Sequence, residues 1–252
     1  CNRRGALMLN ITARQDLMRT IVETLGVVVE EARLDFLENG LFVRVVDPSH
    51  VAMIKMEVDS AAFDTWEVDE TKLGLEMKKL KDMLSLAGPT DMVDLTYNDG
   101  TGTATLNIGR IDRNIRPLDN STLNPPNVPT LDLPCGVTIS GAELAQALRA
   151  SKQVGDLVTL SLDEKCFAVN VKAIDEVHVE FSEEDLVAMD CSEPAKSQYS
   201  LSYLIPLAKV FQTIENVNVR FGENFPLKLT FDFAEGAGSV EYYLAPRVEN
   251  DY

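Results

Sequence analysis

Two histidines, four cysteines and two short carboxylate runs are the residues of this chain best suited to chemistry. The carboxylates fall at Asp163-Glu164 and at Glu183-Glu184-Asp185. Paired carboxylates can pass a proton, but both runs sit beside turn-like residues between strand-like segments and read as solvated charge. Cys1, Cys135, Cys166 and Cys191 form no C-x-x-C pair and have no histidine at metal-ligand spacing, so no metal site or disulfide framework is expected. They read as small buried hydrophobes of a reducing compartment. No G-x-S-x-G, H-E-x-x-H or phosphate-binding glycine loop occurs, and neither catalysis nor a cofactor is expected. His50 lies in VRVVDPSHVAMIKMEV, residues 43–58, which reads as two strands about a tight turn at Asp47-Pro48. Its neighbours leave two readings open: a turn histidine, or the single polar group of an apolar surface.

The elements that position these residues repeat along the chain. A proline-rich stretch, NSTLNPPNVPTLDLP at 120–134, reads as an extended linker between domains at 8–119 and 135–252. Helical periodicity appears in each half, over 14–25 and 76–87, then over 141–152 and 203–214. Leu17 and Ile21 match Leu144 and Leu148 at an offset of 127, and Leu80 and Leu84 match Leu207 and Phe211 at the same offset, which implies duplication. Strand-like runs cover 27–36, 41–46, 51–58, 157–162, 167–172, 177–181 and 227–233, with turn signals in ENG at 38–40 and NDG at 98–100. The fold class is therefore α+β, two similar sheet-rich domains with two helices each. The strand pattern starts at Met8, which reads as the natural start, with 1–7 an extension outside the fold. No run of eighteen apolar residues and no secretion signal is found, so an intracellular, cytoplasmic location is expected.

At a net charge of −17 the average surface repels phosphate, but the charge is unevenly spread. The four helical segments carry eight basic residues (Arg14, Arg19, Lys78, Lys79, Lys81, Arg149, Lys152, Lys209) against five acidic ones, +3 in all, leaving −20 on the remainder. At 100° per residue, Lys78 and Lys81 lie opposite Leu80, Met83 and Leu84. Lys209 turns away from Leu204, Leu207 and Phe211, while Arg149 and Lys152 share a face with Ala145. Arg14 and Arg19 diverge by roughly 140° and support the pattern poorly.

RVVDPSHVAMIKMEV, the mid-chain linker, LSYLIPLAKV and the ending VEYYLAPRVEND together resemble the sliding clamps of archaeal and eukaryotic replication, the proliferating cell nuclear antigen family, over residues 8–251. The D-P-S-H-V form and short tail look archaeal. The resemblance implies a homotrimeric ring with twelve helices around a hole for double-stranded DNA and sheets outside. It implies a processivity factor for replication and repair that is opened by an ATP-driven clamp loader and binds DNA polymerase, flap nuclease and ligase through short peptide motifs. His50, Val51 and Met53, with Val128 and Leu131 of the linker and Pro226, Ala245 and Pro246, are then expected to line the peptide pocket. Subunit contacts are expected between the stretch at 110–119, with Arg110, Arg113 and Arg116, and the one at 174–181, with Asp175, Glu176 and Glu180. Alternatives are a specialised checkpoint-type clamp and an acidic adaptor that binds proteins only.

Overall fold

The computed structural model describes residues 7–248. In the first half the elements are β1 (Leu7–Arg14), α1 (Gln15–Gly26), β2 (Glu31–Leu37), β3 (Gly40–Val46), β4 (Ala52–Asp59), β5 (Thr65–Val68), β6 (Thr71–Glu76), α2 (Met77–Leu84), β7 (Met92–Asn98), β8 (Thr103–Ile108) and β9 (Ile111–Ile115). The second half repeats that order: β10 (Cys135–Ile139), α3 (Gly141–Lys152), β11 (Leu157–Leu162), β12 (Cys166–Lys172), β13 (Glu176–Ser182), β14 (Ala188–Cys191), β15 (Ala195–Ser200), α4 (Leu201–Phe211), β16 (Val217–Phe221), β17 (Leu227–Phe233) and β18 (Gly238–Leu244).

Strand neighbours repeat as well. In the first half they run β5-β1-β7-β8-β9 and β4-β3-β2-β6; in the second, β14-β10-β16-β17-β18 and β13-β12-β11-β15. Within its own half, each strand thus has the same neighbours as its counterpart nine places on. Three of the four pairs matched at offset 127 do equivalent work, since Ile21, Leu148, Leu80, Leu207, Leu84 and Phe211 are all core residues; in the fourth, Leu144 is buried but Leu17 is only half-buried. In each half the two helices pack on one another, α1 on α2 and α3 on α4. Their apolar stripes face the sheets because alternating strand residues such as Leu9, Ile11 and Ala13 supply a buried surface beneath them.

By spatial contact the chain divides into two compact units. One holds the described residues up to 48 with Ile54–Asn127 and Phe233–Ser239; the other holds Ser49–Met53, Val128–Asp232 and the described residues from 240 onward. Residues 123–134 carry no helix or strand, as the prolines dictate.

Several expected boundaries move. Leu7 is not extension but the first residue of β1, opposite Asn98, while residues 1–6 of the expected extension, Cys1 among them, lie outside the described residues. Arg14 ends that strand and is not helical. The second helix stops at Leu84, where Leu86 and Ala87 bond to the carbonyls of Met83 and Leu84 in a tightened turn before Pro89. Helix α4 starts at Leu201 and passes through Pro206. In the NDG loop the left-handed residue is Gly102 (φ 65°), beyond the triplet, because β7 and β8 are joined by four residues.

Candidate DNA-facing helices, peptide groove and open strand edges

The helix residues separate cleanly by face. On α2, Met77, Leu80, Met83 and Leu84 are buried while Lys78 and Lys81 are exposed; on α4, Leu204, Leu207, Ala208 and Phe211 are buried while Lys209 is exposed. Arg19 of α1 and Arg149 and Lys152 of α3 are also exposed. One expectation fails on α3: Ala145 does not share the solvent face but is fully buried. Its methyl group is short enough to vanish between the packed helices, whereas Arg149, one turn on, is long enough to reach out.

Half of the eight basic groups already have a carboxylate partner. Arg14 meets Asp16 at 2.7 Å, Lys78 meets Asp82 at 2.9 Å, Lys79 pairs with Glu76 and Lys152 with Asp156. The Lys152 ammonium holds the Asp156 carboxyl below the ordinary aspartate range. Arg19, Lys81 and Lys209 make no ion pair among the described residues, and Arg149 donates only to Gln212 Oε1 at 3.1 Å. These four are the helix cations without a carboxylate partner among the described residues. Exposed pairs are weak, so the other four can exchange partners cheaply.

The eight residues expected at the peptide pocket all belong to the second compact unit. His50 is exposed and the other seven are half-buried. His50 stands in the left-handed region, φ 56°, just before β4. Only residues that tolerate this conformation hold such a turn without cost, and it turns the chain so that the Val51 carbonyl accepts the Ala245 N–H at 2.9 Å. That bond brings the histidine turn against the C-terminal segment that carries Pro246. Arg247 N–H bonds Gln198 O at 2.8 Å and anchors the same segment to β15. Val128 and Leu131 lie in the extended stretch after residue 122. An apolar cavity of about 40 Å³ inside the first unit, among Ile11, Leu34, Phe36 and Leu95, is a packing void far below ligand size.

Strand β9 ends the first sheet and β13 ends the last, each with one neighbouring strand. The edge of β6 meets Leu118 through Gly74, and that of β15 meets Arg247 through Gln198, so both are covered. Of the six charged residues expected on the open edges, Arg113, Glu176 and Glu180 lie within the strands; Arg110, Arg116 and Asp175 flank them. Asp112 adds one negative charge to β9, where it accepts from Asn107 Nδ2 at 2.6 Å. On β13, His178 reaches Asn170 and, at 3.4 Å, Glu180. Apolar Ile111 and Ile174 are exposed beside these charges.

One constellation was not expected. Cys135 and Cys191 face each other across β10 and β14, their sulfurs 3.7 Å apart. No spacing rule reveals a pair separated by 56 residues and joined only by strand register. Among the described residues no three metal-ligating side chains converge, and the carboxylates of the 183–185 run serve a turn, with Asp185 accepting from the Ser182 N–H and hydroxyl at 2.9 Å.

Comparison with known proteins agrees with this geometry. Residues 8–118 match the N-terminal domain of proliferating cell nuclear antigen, and residues 127–247 match its C-terminal domain. The chain is 32% identical over 246 residues to the DNA polymerase sliding clamp of Methanosarcina acetivorans, and 34% identical over 248 residues to that of Methanosphaerula palustris; each alignment covers 97% of this chain and 100% of the relative. Among solved structures, A. fulgidus PCNA with the C-terminal region of FEN-1 bound superposes with a TM-score of 0.91 at 29% identity, covering 97% of this chain and 100% of that one. The duplicated strand order, the basic helix faces and these full-length matches agree: the chain belongs to the proliferating cell nuclear antigen family.

Proposed function

We propose that this chain is the subunit of a DNA sliding clamp, a ring that encircles duplex DNA and tethers the enzymes of replication and repair. The observation that carries this reading is the twice-repeated helix pair, apolar toward its sheets and basic toward solvent, in a chain of net charge −17. Two clamp domains, 8–119 and 135–252, joined by 120–134, would then contribute four helices each subunit and twelve to a trimer.

Ring closure follows from strand chemistry. An open edge offers unpaired N–H and C=O groups and invites pairing. Two edges of unlike character, one carrying Arg110, Arg113 and Arg116 and one carrying Asp175, Glu176 and Glu180, favour head-to-tail pairing over self-pairing.

Four basic groups per subunit without ion pairs make twelve in three copies, set in a particle of strongly negative total charge. Non-specific phosphate contacts of this kind give dissociation constants of roughly 10⁻⁴ to 10⁻⁶ M at physiological salt and carry no sequence information. Retention on DNA is therefore topological, and sliding is possible because each contact is weak. No group in this mechanism performs catalysis; opening the ring falls to a loader ATPase. His50, Val51, Met53, Val128, Leu131, Pro226, Ala245 and Pro246 would receive apolar peptide motifs from polymerase, flap nuclease and ligase, burial supplying affinity and the imidazole orientation. A cytoplasmic, nucleoid-associated role in an archaeal cell accords with the archaeal relatives.

Mass in solution and retention on DNA test the reading together. A trimer, three times 27.8 kDa, placed on nicked circular plasmid by a loader ATPase should remain through gel filtration and be lost once the plasmid is linearised. A monomer that stays on linear DNA as well as on circles would overturn it. The adaptor alternative has one observation in its favour, the four basic groups already paired, and predicts no retention on either DNA.

A further inference from the structure

We propose that Cys135 and Cys191 are an oxidisable pair, a modification site that closes to a disulfide in reaction with a small-molecule disulfide. The inference is independent of DNA binding and of ring closure. Three observations carry it. The two residues are register partners in an antiparallel pair, with sulfurs 3.7 Å apart and no side chain interposed. Ser192 N–H bonds Pro134 O at 3.1 Å at the next register position, which makes Cys135 and Cys191 a pair that does not exchange backbone hydrogen bonds. Such pairs hold their α-carbons about 4.5 Å apart, inside the span a disulfide bridges. The third observation is rigidity. Arg220 grips Asp190 with two bonds of 2.8 and 3.0 Å and also donates to Leu133 O at 2.8 Å, so β14 is held against β10 on the residue next to Cys191. Gly136 makes this possible, since a Cβ there would stand 2.2 Å from Arg220 Nη1.

The two thiols differ in access, which sets the order of events. Cys191 is half-buried, whereas Cys135 is fully buried and donates to Glu193 O at 2.8 Å. Cys191 loses its proton and attacks one sulfur of R–S–S–R; that bond breaks, Cys191–S–S–R forms, and R–S⁻ leaves and is protonated. Cys135 then loses its proton and attacks Cys191 Sγ, displacing the second R–S⁻. Two protein thiols are oxidised, one external disulfide is reduced to two thiols, and no other oxidant is needed. Burial pushes the Cys135 thiol up to about 12, so the second step is the slow one and quickens as pH rises. The product pins β14, which otherwise has β10 as its one neighbouring strand, and closes a loop through α3 and β11 to β13.

The test is incubation of the full-length chain with oxidised glutathione, read by intact mass and by peptide mapping without reduction. The expected result is loss of two hydrogens with a cross-link between the peptides bearing 135 and 191. The oxidised chain should unfold roughly 5–10 °C higher than the reduced one. Cys135→Ser should stop at the glutathione adduct on Cys191, and Cys191→Ser should leave Cys135 unmodified. Either a wild-type chain that halts at the Cys191 adduct, or cross-links that join Cys166 as often as Cys135, overturns the proposal. Should the serine variants fold poorly, the wild-type peptide map alone still decides.

Discussion

The backbone N–H of Ala245 donates to the Val51 carbonyl at 2.9 Å, and Val51 directly follows a histidine held at φ 56°. A turn from the first half of the chain and the segment after its last strand therefore meet through one bond. It brings the turn that carries His50 against the segment that carries Pro246, although the two are far apart in sequence. Replacing His50 with alanine should weaken a fluorescent peptide of the FEN-1 C-terminal region by about tenfold or more, equivalent to about 1.4 kcal/mol. Trimer mass should not change; loss of the trimer with peptide affinity intact would make the groove assignment wrong.

Charge reversal at the open edge should act in the opposite way. In the proposed ring, Arg113→Glu puts a carboxylate opposite an edge that carries Glu176 and Glu180, and like charges across a strand pair repel. Sedimentation equilibrium should show the trimer giving way to monomer at micromolar concentration. Combining Arg113→Glu with Glu180→Arg should restore much of the association.

The four groups without ion pairs define a third test. Substituting Lys81, Arg149 and Lys209 together with alanine removes three of the four from every subunit. Fold and trimer mass should be kept, because all three are exposed. The affinity of the ring for short duplex DNA should fall, and its dependence on the logarithm of salt concentration should become shallower, since fewer counterions are released.

Gly141 opens α3 where a Cβ would sit 2.0 Å from the Phe211 carbonyl oxygen and 2.5 Å from that of Ile214. Its own N–H bonds Ile214 O at 2.9 Å. Gly141→Ala forces the ends of α3 and α4 apart and should cost about 1–3 kcal/mol, lowering the unfolding midpoint by several degrees. An unchanged midpoint would show that the contact relaxes freely.

Acid should destabilise the chain through identifiable turns. The Ser121 N–H holds the Asp119 carboxyl below its ordinary value of 3.8, the Cys166 and Lys165 N–H groups do the same for Asp163, and Ser182 does so for Asp185. Because the folded values are depressed, this stabilisation is complete above 3.8 and is lost as pH falls through the lower folded values. Thermal melts between pH 5 and about pH 2 should show the decline, and Asp163→Asn with Asp185→Asn should flatten it.

Much of this architecture can be read from local pattern. Helix periodicity marks which face of α2 and α4 is buried, since Leu80, Leu84, Leu207 and Phe211 recur at helical spacing. The offset of 127 announces the duplication because both halves solve the same packing problem with the same residue types. Charge segregation is visible too, as it depends only on which residues the helices contain. The ends of α2 and α4 were less legible, because a tightened turn and a proline inside a helix depend on neighbours that local periodicity does not contain.

Pairing between distant segments is a property of the folded chain alone. Strand register sets Cys135 opposite Cys191, leaves β9 and β13 with open edges, and covers β6 and β15. Helix packing buries Ala145 and leaves Arg149 outside, a choice made by side-chain length against a neighbouring helix. The availability of the helix lysines, by contrast, is local: Lys78 and Lys81 lie on one face of one helix, yet only Lys78 has an acid, Asp82, one turn away to occupy it. Composition, period and the short-range ion pairs of the helices are written along the chain, whereas register and edge arise when segments remote in sequence share the same few ångströms.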